Sequence, residues 1–226
     1  MGDLHSLIAF DLDGTLIDSR RYLADSANAL IVELGGSPLA EEAIGRMVGE
    51  GATVLVERAL AAAGVPPPAD AVPRFLTIYD AHLMNHTRPY DGVIDAVHAA
   101  RRHARVAVLT NKPRRPSEAI LTALGMRDLF DAVIGGDGPY ARKPDPQPLF
   151  ELMREAGASP ETTLMIGDSG IDHETARRAG VQCCLCAFGY GFLNFPRERL
   201  DGSEWIVDDT AALARRIEQF AQPRSA

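Results

Sequence analysis

Two aspartates stand one residue apart in Asp11-Leu12-Asp13-Gly14-Thr15, directly after the apolar run Leu7-Ile8-Ala9-Phe10. In such a pair one carboxylate can attack or bind a metal while its neighbour moves protons. Like charges this close need a cation between them or a raised pKa on one of them. Gly14 permits the tight turn that brings both toward one centre. An Asp-Gly pair also ends a strand on its own account, so the motif alone decides nothing. Further carboxylates follow a second apolar run, with Gly167-Asp168-Ser169 and Asp172 after Leu164-Met165-Ile166. Clustered oxygen ligands, together with a substrate phosphate, suit Mg²⁺, which keeps several waters and takes only a few carboxylates. Asp172 also stands where a helix begins, a position at which an acidic side chain serves as a cap. Thr110-Asn111 offers a hydroxyl and a backbone N–H to phosphate oxygens, and Lys143 offers a point charge in a loop stiffened by Pro144 and Pro146. Phosphoryl transfer depends mainly on positioning and charge stabilisation, and these groups supply both.

The elements that must hold these groups are short apolar runs, each ending at a candidate residue. Leu7–Phe10 stops at Asp11, Val106–Leu109 at Thr110-Asn111, and Leu164–Ile166 at Gly167-Asp168. Ala132–Ile134 stops at Gly135-Gly136-Asp137, shortly before Lys143. Runs that are continuous rather than alternating indicate strands buried on both faces, as in a parallel sheet. Helical patterns separate them, near Gly92–His103, Pro116–Leu124, Pro146–Gly157 and Asp172–Gly180, with a last one over Thr210–Phe220. Two more runs, Val181–Phe188 and Trp205–Val207, complete the sheet. The expected fold is α/β, a Rossmann-like doubly wound parallel sheet. In such sheets ligands bind beyond the carboxyl ends of the strands. Residues 19–88 break the alternation and read as helices without a strand, so they form an inserted helical cap between core segments 1–18 and 89–226.

Composition narrows the partners. The 226 residues are 46% hydrophobic and 24% charged, which excludes disordered, collagen-like and membrane-spanning chains. With 23 basic against 31 acidic residues the net charge is -8, so nucleic acid and anionic membrane surfaces are not expected partners. Cys183, Cys184 and Cys186 have no second cluster to complete a zinc site. On a strand Cys184 and Cys186 share one face and Cys183 takes the other, where all three fill the interior. Absence of a secretory pattern and unpaired thiols together fit a cytoplasmic protein.

Taken in order, these motifs resemble the haloacid dehalogenase superfamily of phosphatases, and within it the phosphoglycolate phosphatase-like branch. The residues that carry the resemblance are Asp11 through Ser19, Thr110-Asn111-Lys112, Arg142-Lys143-Pro144-Asp145-Pro146, and Gly167 through Asp172. Weaker echoes are Val48-Gly49-Glu50-Gly51 and Gly189-Tyr190-Gly191. The resemblance implies that Asp11 is the nucleophile and that Asp13 protonates the leaving alcohol and then deprotonates water. It implies Mg²⁺ held by Asp11, the Asp13 carbonyl and Asp168, with Asp172 orienting the outer shell. Thr110, the Asn111 amide and Lys143 would bind the phosphoryl oxygens. Arg20 and Arg46 in the cap are the candidates for reading the rest of the substrate. The expected activity is hydrolysis of a small phosphorylated metabolite, 2-phosphoglycolate first, by a monomer or homodimer. A sugar phosphomutase of the same fold and a catalytically silent regulator are the alternatives.

Overall fold

The computed structural model describes residues 5–81 and 83–222; the rest of the expected core and cap segments lies outside the described residues. The chain opens with β1 (Leu7–Phe10) and β2 (Ile17–Asp18), then α1 (Arg20–Glu33), α2 (Glu41–Gly45), α3 (Ala52–Ala62) and α4 (Ala71–Ala81). After β3 (Arg88–Pro89) come α5 (Val93–Arg101), β4 (Arg105–Leu109), α6 (Arg114–Ala123) and β5 (Ala132–Ile134). The remainder is α7 (Gln147–Ala156), β6 (Thr163–Gly167), α8 (Gly170–Ala179), β7 (Gln182–Cys186), β8 (Trp205–Val207) and α9 (Thr210–Ala221).

All four residues of β1 are buried, because the strand is central in a sheet ordered β5-β4-β1-β6-β7-β8. Every pairing in that sheet is parallel. Alternate side chains of one strand feed two separate cores. Ile8 and Phe10 join Val97 of α5 and Leu213 of α9, whereas Leu7 and Ala9 join Leu149 of α7 and Ala176 of α8. The cysteines obey the same period: Cys184 and Cys186 enter the first core and Cys183 the second. From β1 the chain builds β4 and β5 on one side, then returns to build β6, β7 and β8 on the other. The carboxyl ends of β1, β4 and β6 therefore flank the point where the winding reverses, the crevice in which open α/β sheets bind ligands.

The helical block has its own interior, centred on Tyr22, Leu30, Leu60 and Phe75. The Tyr22 hydroxyl donates to the Tyr79 carbonyl at 2.6 Å, tying α1 to α4. Two details depart from the sequence reading. The boundary of the helical block carries strand: Arg88, its last residue, and Pro89 pair antiparallel with Asp18 and Ile17, so the two chain crossings form one ribbon. A fourth helix, α2, spans only Glu41–Gly45, too short for a periodic signature, with Glu41 and Glu42 suited to its N-terminal dipole.

Candidate active site

The loop after β1 is wound tightly around a buried residue. Leu12 is inaccessible to solvent, and its carbonyl accepts from the N–H groups of Leu16 and Ile17 at 3.0 and 3.1 Å. With Leu12 turned inward, both neighbouring carboxylates line one cavity. Gly14 has φ +87°, and a Cβ there would lie 2.0 Å from Asp168 Oδ2, so no other residue fits between the two acidic loops.

Asp11, Asp168 and Asp172 each bring an oxygen within 4.8 Å of the others, and all three are buried. Lys143 enters from the loop before α7 and donates to Asp172 Oδ1 at 2.6 Å, with its ammonium 2.9 Å from Asp11 Oδ1. The other Asp172 oxygen accepts from the Ser169 hydroxyl at 2.6 Å and from the Ser169 N–H at 3.1 Å. Asp172 thus caps α8 and pairs with Lys143 at once, so the capping and functional readings of this residue are one arrangement. Asp168 accepts the Gly191 N–H at 2.7 Å.

Burial pushes the Asp11 carboxyl up to about 6; Lys143 pulls it back, while Asp172 and Asp13 add repulsion. Burial, then repulsion from Asp172 and Asp11, raises Asp168 well above the ordinary carboxylate range. Burial alone would lower the Lys143 ammonium, but attraction to Asp11 and Asp172 outweighs it and holds the amine charged. Three buried carboxylates therefore share one lysine, and the negative charge left over is what a hard divalent cation relieves. All donors are oxygens, the chemistry that Mg²⁺ prefers.

Asp13 is held differently. Lys112 Nζ donates to its two oxygens at 2.5 and 2.7 Å, and the Ser19 hydroxyl donates to Oδ1 at 2.5 Å. Ser19 occupies the N-cap position of α1 but makes no side-chain cap; its hydroxyl is diverted to Asp13 and lies 3.1 Å from the Tyr190 hydroxyl. Thr110 follows β4 and lines the same cavity. The Asn111 side-chain amide donates to the carbonyls of Gly49 and Lys143, both at 2.9 Å, and so joins the helical block to the lysine loop.

The cavity lies between this rim and the helical block, whose wall includes Leu55, Phe75 and Tyr79. The echo around Val48-Gly49 reaches it as well. Arg20 and Arg46 do not line it. The Arg20 guanidinium is engaged by Asp18 at 3.4 Å and Glu41 at 3.6 Å, and it lies over the Tyr190 ring. Arg46 is exposed, its Nε donating to the Glu42 carbonyl at 3.2 Å. Proximity in sequence to the hinge and to the glycine-rich turn of the cap, the basis of their candidacy, does not give side-chain direction. Lys112 and Ser19, in contrast, belong to the recognised motifs yet had no assigned role. Lys112 adjoins Thr110-Asn111 at a strand end, and that adjacency was the available signal.

The model for the haloacid dehalogenase-like hydrolases matches residues 8–186, and the chain belongs to that family. Among relatives, it is 41% identical to a phosphoglycolate phosphatase of Rhodospirillum rubrum, over 96% of this chain and 92% of that protein. It is 38% identical to one of Pseudomonas putida, over 94% and 79%. A crystal structure described as a predicted phosphoglycolate phosphatase from Haemophilus somnus 129pt superposes with a TM-score of 0.86 at 32% identity, covering 93% of this chain and 97% of that one. CbbY from Rhodobacter sphaeroides, solved in complex with phosphate, gives a TM-score of 0.75 at 25% identity, over 91% and 95%. No helix among the described residues is long and apolar enough to cross a membrane.

Proposed function

We propose that the chain is a Mg²⁺-dependent phosphatase that hydrolyses small phosphate monoesters, 2-phosphoglycolate first among them, through a phosphoryl group carried on Asp11. One observation carries the reading. The two aspartates of a single tight turn face one cavity with separate partners, Asp11 against Lys143 and Asp13 against Lys112 and Ser19. Such a division suits a nucleophile and a proton carrier. The relatives named phosphoglycolate phosphatase support the choice of substrate.

In this mechanism an Asp11 oxygen attacks phosphorus while the bond from phosphorus to the alcohol oxygen breaks. Asp13, in its protonated form, gives its proton to that oxygen. The Asp13 carboxylate then takes a proton from water, the water oxygen bonds to phosphorus, and the bond to Asp11 breaks. Thr110, the Asn111 N–H and Lys143 orient the phosphoryl oxygens and offset their charge. Asp11, Asp168 and the Asp13 carbonyl would hold Mg²⁺, with Asp172 behind them, and the ion would supply positive charge beside the transferring group. Residues 19–88 act as a cap that excludes water from the aspartyl phosphate, with the β2–β3 ribbon as its hinge.

The test is phosphate release from a panel of monoesters, with Mg²⁺ and with EDTA, by the wild type and Asp11→Asn. The expected result is Mg²⁺-dependent turnover that the variant loses. Folded, Mg²⁺-loaded protein that releases phosphate from no monoester would contradict the proposal.

A further inference from the structure

The chemistry assigned to Asp11 and Asp13 leaves Lys112 without a part, although it is almost fully enclosed, with its side chain 3% exposed. It is the one cationic side chain lining the cavity among the described residues. Two of its three N–H donors are accounted for by the Asp13 oxygens at 2.5 and 2.7 Å. The third has the Tyr79 ring nearby, its centroid 5.4 Å from Nζ, a weaker partner than a carboxylate. Asp13 does not depend on the lysine alone, because Ser19 donates to it and Tyr190 lies against Ser19.

The position matters because of where a leaving group must lie. With phosphorus beside Asp11 and the alcohol oxygen beside Asp13, the rest of the alcohol passes the ammonium that grips Asp13. Elsewhere the cavity wall offers this alcohol carboxylates, the neutral polar groups of Thr110, Asn111, Ser169 and Tyr190, or the apolar surface of Leu55 and Phe75. Among the lining side chains an anionic group on the alcohol would therefore find a counter-charge only at Lys112.

We infer that Lys112 is the specificity-determining residue of this site: it takes the carboxylate of a short acidic leaving group while positioning Asp13 against the ester oxygen. The inference rests on the proposed phosphatase reading and deepens it, since it defines the substrate class as phosphate monoesters of small hydroxy acids. Arg20 and Arg46, committed to other contacts, take no part in this recognition.

The test compares 2-phosphoglycolate with 2-phosphoglycolamide, nearly the same shape without the second charge, as substrates of the wild type, Lys112→Met and Lys112→Arg. Wild type favours the acid in kcat/KM. Lys112→Met loses about 100-fold on the acid, largely through KM, and about tenfold on the amide, largely through kcat, so the preference shrinks by about tenfold. Lys112→Arg restores part of the preference. Equal losses on both compounds, or a wild type indifferent between them, overturn the inference while leaving the phosphatase reading intact. A folded, Mg²⁺-loaded wild type that hydrolyses neither compound nor any other monoester overturns both. If Lys112→Met does not fold, calorimetry on Asp11→Asn, which keeps Lys112, decides the matter. The acid binds about tenfold tighter than the amide, and equal affinities refute the assignment.

Discussion

The two walls of the cavity hold their side chains by different means. On the core side, Asp11 and Asp168 are buried charges standing at strand ends, backed by the buried Asp172 in the first turn of α8 and Lys143 in the loop before α7, and backbone geometry sets their positions. The Asp11 N–H still donates to the Ile166 carbonyl at 2.8 Å, as though the sheet continued. On the opposite wall, Leu55, Phe75 and Tyr79 project from helices that share an apolar interior separate from the sheet. The core wall keeps electrostatic stress that a bound cation and phosphate would relieve. The helical wall is largely apolar, with Leu55 and Phe75 facing the cavity, and on the proposed reading it contributes shape and exclusion of water. On that reading, chemistry resides where the backbone dictates position, and choice of substrate where the walls meet, at Lys112.

The contrast between the two walls has measurable consequences. Divalent removal should have the largest effect. EDTA is expected to lower phosphate release by about 10³-fold or more, and excess Mg²⁺ to restore it while stabilising the fold by about 3 kcal/mol at a hundredfold excess over Kd. Hydrogen exchange should place the added protection in the strand-end loops; protection confined to α1–α4 would reverse the roles of the walls.

The same stress has a pH signature. Asp11 titrates near 6 in the folded chain against the ordinary 3.8, so folded protein holds a proton that unfolded protein has lost between those values. Stability of the divalent-free protein should then fall as pH rises through that window. Chemical denaturation at a series of pH values checks the sign, and a rise across the window contradicts it.

Next in size is Lys143→Met, which leaves Asp11 and Asp172 facing each other without a counter-charge. Divalent-free protein should lose about 3–5 kcal/mol on urea unfolding, and unchanged stability would show the cluster to be less strained than argued. Leu60→Ala probes the other wall by opening a cavity in the helical interior, where Leu60 is inaccessible. It should cost about 3 kcal/mol, read as faster exchange in α1, α3 and α4 with the sheet unchanged. Smallest of all, Arg46→Ala should leave kcat/KM for 2-phosphoglycolate within about twofold, as for an exposed side chain outside special contacts. A hundredfold loss would move substrate recognition from Lys112 to the cap.

Much of the core wall could be read from residue order. A charged or hydroxyl residue that ends a buried strand must stand at the sheet edge, so Asp11, Thr110 and Asp168 were recognisable one strand at a time. The cysteine faces followed from the period of a strand, and Cys184 and Cys186 do share a core from which Cys183 is excluded. What could not be read depends on three loops converging. Nothing in the order of residues says that Lys112 turns to Asp13, or that Ser19 forgoes its cap to do the same. That Arg20 and Arg46 stand outside the cavity lining was unreadable for the same reason, since helix-surface direction is settled only by local partners such as Asp18, Glu41 and the Glu42 carbonyl. The two-residue strands β2 and β3 were equally unreadable, because their pairing joins positions more than 70 residues apart in sequence, Ile17 with Pro89.

The central claim is that the phosphoryl group passes through Asp11, and rapid acid quench during turnover of 2-phosphoglycolate tests it most directly. Peptide mass spectrometry of the quenched wild type should find a phosphoryl group on Asp11, formed and lost at rates that account for steady-state turnover. An Asp11 that stays unmodified while phosphate is released, or an Asp11→Asn variant that turns over at the wild-type rate, would contradict the claim.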